Sequence, residues 1–167
     1  MTCNTIEQAV RFGPASTCVS NEHGIVAHTT GENYLIEFFS ANGKKFKQIS
    51  MPGFHPLKVT EQDRHDVFLN LSFLPESFTK NFVFAETKRI FKALRFDEVG
   101  NLWAIRESID KKLFADVFDD AGNYIAEVYL PQMLYFIGDD YAYGIKTTGF
   151  DSYVIRYKII KNKQQAK

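Results

Sequence analysis

The side chains able to do acid–base or metal chemistry in this 167-residue chain fall into a few small groups. His55 and His65 flank one segment, and Asp63 and Asp66 lie beside the second of them. Imidazole and carboxylate together suit zinc or manganese. The same pattern also describes a solvated helix face, and nothing in the spacing makes a metal the better reading. Paired acids occur at Asp97-Glu98, Asp119-Asp120 and Asp139-Asp140. Two carboxylates at a controlled separation in a sheltered cleft would serve acid–base catalysis. Each of these pairs stands among turn residues, where a carboxylate more often accepts backbone N–H bonds. Calcium is the other chemistry open to them.

Arg106 and Lys146 follow equivalent stretches and would place positive charge on one rim. Of the remaining histidines, His23 reads as a solvated turn residue and His28 as a packed strand residue. There is no Gly-x-Ser-x-Gly, no His-Glu-x-x-His, no phosphate loop and no GxGxxG. The two cysteines, Cys3 and Cys18, form no Cys-x-x-Cys pair, and Cys18 reads as a small buried hydrophobe.

These groups need elements to position them, and the sequence repeats itself in a way that defines those elements. Glu37 to Pro52 reads EFFSANGKKFKQISMP, and Asp116 to Pro131 reads DVFDDAGNYIAEVYLP. Phe39 matches Phe118, Gly43 matches Gly122, and Pro52 matches Pro131 without a gap. The fullest copy predicts the strands KALRF, NLWAIR, LFADVF and NYIAEVYL, joined by the turns DEVG, ESIDKK and DDAG. An earlier copy gives STCVS, IVAHTT, YLIEFF and KKFKQISM, and a last copy gives only MLYFI, YAYGIK and SYVIRYKII. Strand two carries a small residue in each copy, Ala27, Ala104 and Gly144, which suits close packing of neighbouring sheets. Recurring four-stranded meanders of about 40 residues mark a β-propeller. The expected class is all-β, with about three blades and a short helical insertion.

The organisation that follows is a single domain over 1–167. It has a lone strand at 5–12, a blade at 16–52, a helical insert at 53–90, a blade at 91–131, an incomplete blade at 133–160 and a polar tail at 161–167. In the insert, Thr60 is an N-cap with Asp63 three residues on, and Val67, Phe68 and Leu71 follow at helical spacing. Pro75 ends that helix, and ESFTKNF adds one further turn. The insert either covers the apolar end of a blade or forms a lid beside the central opening.

Lys+Arg and Asp+Glu both number 20, so no net charge draws the chain to nucleic acid or to an anionic membrane. No apolar run has the length of a membrane span. The opening MTCNTIEQAVRF lacks the apolar core of a signal peptide.

Taken in order, four motifs resemble bacterial six-bladed β-propellers related to NHL-type propellers. A D-x-x-G-x-L-W-V turn is matched by Asp97-Glu98-Val99-Gly100-Asn101-Leu102-Trp103-Ala104, and an F-D-x-x-G hairpin by Phe118 to Gly122. A P-x-x-V-T-x-x-D-R insert is matched from Pro56 to Arg64, and an I-G-D-D-Y-x-x-G ending from Ile137 to Gly144. The resemblance spans about residues 15 to 160 and departs at Ser40-Ala41-Asn42-Gly43, which lacks the usual Asp. It implies the fold and leaves activity and compartment open, since members are often exported and propellers host unrelated functions.

Three blades are half of such a ring. The other half is expected from a second copy in a homodimer, strand 5–12 of one chain completing the last blade of the other, or from a missing half of a longer protein. A compact three-blade unit with an altered edge is the third option. The function expected is a non-catalytic binding or scaffold module, without cofactor or metal, for a protein, glycan or small ligand. The candidate contacts are Arg95, Arg106, Lys146, Trp103, His55 and His65. The alternative is a metal-dependent propeller hydrolase or lyase. It is disfavoured because the innermost strands STCVS, KALRF and MLYFI carry no His or carboxylate, only Arg95.

Overall fold

A computed structural model describes residues 10–11, 15–73, 75 and 82–160. Its strands form three antiparallel sheets in the manner of propeller blades. The first contains β2 (Thr17–Ser20), β3 (Val26–Thr29), β4 (Leu35–Phe39) and β5 (Lys45–Ser50), paired in chain order. The second contains β7 (Phe91–Phe96), β8 (Leu102–Glu107), β9 (Leu113–Phe118) and β10 (Tyr124–Leu130). The third has β11 (Leu134–Ile137), β12 (Tyr141–Thr148) and β13 (Asp151–Lys158). The first strands β2, β7 and β11 lie next to one another, as innermost strands should.

One turn explains the repeated phrase. In Asn21–Gly24, Ser40–Gly43, Asp97–Gly100, Ser108–Lys111 and Asp119–Gly122, the first residue accepts from the N–H of the fourth and donates to the carbonyl just beyond. The fourth residue has positive φ, from 60° at Lys111 to 89° at Gly100. This is the three-residue hairpin loop closed by a left-handed residue. A Cβ on Gly100 would meet nothing within 4 Å, so a substitution there is opposed by backbone conformation alone. Gly100→Ala is expected to cost ~1–2 kcal/mol, read as a lower urea midpoint at unchanged m-value.

Two cores seal the sheets against each other. Ala27, Ile36, Phe38 and Ile49 of the first sheet meet Phe91, Leu94, Leu102 and Ala104 of the second. Trp103, Ile105, Ala115 and Val117 on the other face of the second sheet meet Leu134, Ile137 and Ala142 of the third. Near-continuous burial along β8 follows from this double contact.

The pairing corrects one detail of the expected repeat. Phe39 pairs with Val26 and Phe118 with Leu102, so Ala27 occupies the place of Trp103 rather than of Ala104. A shift of one residue reverses the face of a strand. Accordingly Ala27 points forward at the second sheet, while Ala104 points back at the first. Ala104 and Gly144 do correspond, lying opposite Leu94 and Leu134.

The insert begins as expected. Thr60 caps α1 (Glu61–Asn70), and the Thr60 hydroxyl and Asp63 carboxylate complete a reciprocal capping box. The apolar spacing does not make a buried stripe, however. Asp63 is the buried residue of the helix, and Phe68 is 43% exposed against Phe82 and Phe84. The further turn predicted in ESFTKNF lies outside the described residues. The segment expected as a lone strand is described only at β1 (Val10–Arg11), which pairs in parallel with β6 (Val83–Phe84) of the insert. Two short segments with unpaired backbone thereby satisfy each other's donors and acceptors.

Candidate functional site

Two buried ion-pair clusters stand at the junction of the first sheet, the insert and the second sheet. The first is built on Asp116, which is 2% exposed in the middle of β9. Its carboxylate accepts from the Tyr34 hydroxyl at 2.6 Å and from Arg106 Nε and Nη2 at 2.7 and 3.1 Å. Arg106 also pairs with Glu127, and its guanidinium lies near the rings of Phe54 and Phe114. Burial first, and then the hydrogen bond to Asp116, push the Tyr34 hydroxyl far above the ordinary tyrosine range. Its proton stays on at any working pH.

The second cluster fastens the insert. Lys88 Nζ donates to Asp63 at 2.7 Å and to Glu107 at 3.3 Å, and Lys92 pairs with Glu107 at 2.8 Å. Burial alone would raise the Asp63 carboxyl. The Lys88 and Thr60 hydrogen bonds outweigh it and hold the group at about 2, against an ordinary 3.8. A carboxyl lowered on folding stabilises above its unfolded pKa and loses that contribution as pH falls through the folded value. The gap corresponds to ~2 kcal/mol. The stability difference between wild type and Asp63→Asn is therefore expected to be present at pH 5 and above. It should shrink towards zero as pH falls to about 2, which urea titrations along a pH series would show.

Between the clusters opens a cleft of about 230 Å³. Phe54 and Leu57 of the insert, Ile90, and Lys92, Arg106 and Ile109 of the second sheet line it. A larger depression of about 480 Å³ lies at the other end of the strands, among the turns that precede β3 and β8. Of the acids that line it, Glu22, Asp97 and Glu98, the second is committed to its turn. Asp97 accepts from the backbone N–H of Val99 and Asn101 and from Trp103 Nε1 at 3.0 Å. Asp119 likewise accepts from Asn123 in its own turn, which answers the paired-carboxylate question for both positions.

The six candidate contacts do not converge. Arg106 lines the cleft, and His55 follows the lining residue Phe54 in sequence and is exposed. His65 is exposed on α1. Trp103 is 6% exposed inside the second core, Arg95 Nη1 donates to the Leu94 carbonyl, and Lys146 is exposed on β12. Asp63 turns inward to Lys88, and Asp66 turns outward to Lys111 and feels His65 only through its charge. Among the described residues, no three His, Cys, Asp or Glu side chains are grouped to hold a metal. Sequence reasoning missed Asp116, Tyr34, Lys88 and Glu107. For Asp116 the signal was there: one charge inside the apolar run LFADVF demands a buried partner.

No protein-family model matches the chain, and no curated protein matches it in sequence. Among solved structures it is similar to a streptogramin B lyase, at 14% identity and a TM-score of 0.30, over 93% of this chain and 57% of that one. It is also similar to a catalytically inactive virginiamycin B lyase from Staphylococcus aureus with quinupristin, at 13% identity and a TM-score of 0.33, over 93% of this chain and 58% of that one. The chain thus spans somewhat over half the length of these two lyases. Its assignment to the all-β propeller class is carried by the three sheets and the two cores between them.

Proposed function

We propose that the chain is a non-catalytic binding and scaffold module, completed to a six-bladed ring by a second copy of itself. The observation that supports this is the uncovered face of the third sheet. Phe136, Ile145 and Val154 are 49%, 47% and 74% exposed there, whereas the corresponding faces of the first two sheets are sealed by cores. β13 stands where the other sheets have their third strand, and no described strand pairs its outer edge. An exposed apolar face with an open edge invites association.

The first sheet offers a matching surface. Val26 opposite Phe39 and His28 opposite Glu37 occupy its outer face, away from Ala27 and Phe38. Glu37 would bring a carboxylate towards Arg156, whose guanidinium lies 4.7 Å from the Tyr141 ring on the third sheet. Two such seams about a two-fold axis unite six sheets, within the ordinary range of propeller blades. Recognition of a protein, glycan or small ligand then belongs to the face that carries the insert. A missing half of a longer chain is the competing partner.

Sedimentation velocity tests this. The double variant Ile145→Glu with Val154→Glu, both exposed in the single chain, should sediment at half the wild-type mass with an unchanged circular dichroism spectrum. Wild type and variant sedimenting alike would overturn the seam.

A further inference from the structure

The cleft beside the insert has an unusual division of charge. Lys88, Lys92 and Arg106 reach its wall, and Glu107 is the carboxylate that does so. The acids that balance the rest, Asp63 and Asp116, are 5% and 2% exposed and stand behind the wall, not in it. Arg106 is held rigidly from that side. Its Nε and Nη2 are spent on Asp116 and Glu127, and its Nη1 has no acceptor among the described residues. Hydrocarbon adjoins it: Phe54, whose ring lies 5.7 Å from the guanidinium, and Ile90 line the same cleft, with Ile109, which is 89% exposed.

A guanidinium fixed by a buried carboxylate, with donors left over and apolar surface beside it, matches the planar fork of an organic acid. At about 230 Å³ the space falls below the ~300–1,000 Å³ usual for drug-sized ligands, so the occupant is small. We infer that this cleft binds a small organic carboxylate, its acid group on Arg106 Nη1 and Lys92 and its hydrocarbon part between Phe54 and Ile109. The inference rests on the reading of the chain as a binding module. It does not depend on ring closure, because every lining residue comes from one chain.

The test is isothermal titration of the full chain with isovalerate, benzoate and 3-phenylpropionate, each beside its neutral amide, and with inorganic phosphate. At least one carboxylate should bind saturably, about tenfold or more tighter than its amide and than phosphate. Lys92→Gln should weaken that binding about threefold to tenfold, and Ile109→Glu should abolish it. Ile109 is exposed, and Lys92 pairs with Glu107, so Lys92→Gln takes one partner from that carboxylate while both variants leave the Asp116 cluster intact. Arg106→Lys should remove binding as well, but it also alters that cluster and is secondary. Absence of saturable binding by all three acids, equal binding of acid and amide, or equal binding of phosphate would overturn the inference. So would indifference to both Lys92→Gln and Ile109→Glu. A dimeric mass with no carboxylate bound removes the ligand and leaves the ring. Carboxylate bound by a monomer does the reverse.

Discussion

Asp116→Ala is expected to lower the unfolding free energy by ~3–5 kcal/mol, a large share of the ~5–15 kcal/mol typical of a domain. The carboxylate accepts three hydrogen bonds, one from Tyr34 of the first sheet and two from Arg106 of its own. Removing it strands a buried hydroxyl, Tyr34 being 3% exposed, and leaves a cation with only Glu127 at the surface. The loss is greater than the net worth of the pair, because the partners have already been taken out of water. A double substitution, Asp116→Leu with Arg106→Met, should therefore recover much of the stability that either single change removes. Urea titrations of the four proteins provide the cycle. A loss of less than ~1 kcal/mol in Asp116→Ala would show that the first two sheets are held by their apolar core alone.

Trp103→Ala is expected to cost a similar ~3–5 kcal/mol. Trp103 is the single tryptophan of the chain and is packed in the second core among Ile105, Val117 and Leu134. Its indole N–H is satisfied by Asp97, the residue that organises the turn before β8. The side chain thus ties the packing of the third sheet to the geometry of that turn. Trp103→Phe keeps most of the burial and loses the hydrogen bond, so it should cost much less, and Asp97→Ala should cost ~1–3 kcal/mol by unpairing the indole and two backbone N–H groups. Since fluorescence is lost with Trp103, circular dichroism in urea is the appropriate readout. Equal costs for Trp103→Ala and Trp103→Phe would contradict a packing role.

Much of the architecture could be read from local signals because the local signals are strong. Five of the hairpins have an acid, Ser or Asn at the first position and a left-handed residue at the fourth, and these fix strand ends almost to the residue: LFADVF is the expected strand and β9 spans Leu113–Phe118. Register between copies was less legible. A small residue in strand two looked like one repeated position, yet Ala27 and Ala104 face opposite ways, because composition alone does not reveal a slip of one along a period of two. The candidate site was largely illegible. Its side chains come from Tyr34, Asp63, Lys88, Arg106 and Asp116, and only the folded sheets bring them together. Arg106 was found through its equivalence with Lys146. That equivalence missed what distinguishes the two: Arg106 reaches diagonally to the buried Asp116, which lies opposite Ala104 on β9, and the matching place opposite Gly144 on β13 holds Ile155.

The central claim is that an uncovered third sheet is closed by a second copy of the chain. The direct measurement is the mass of the wild-type protein by light scattering across its size-exclusion peak. The account predicts twice 19.2 kDa, constant across the peak, and a fall towards the single-chain mass in the Ile145→Glu/Val154→Glu double variant. A well-folded species at the single-chain mass, unchanged over a wide range of loading concentration, would contradict it.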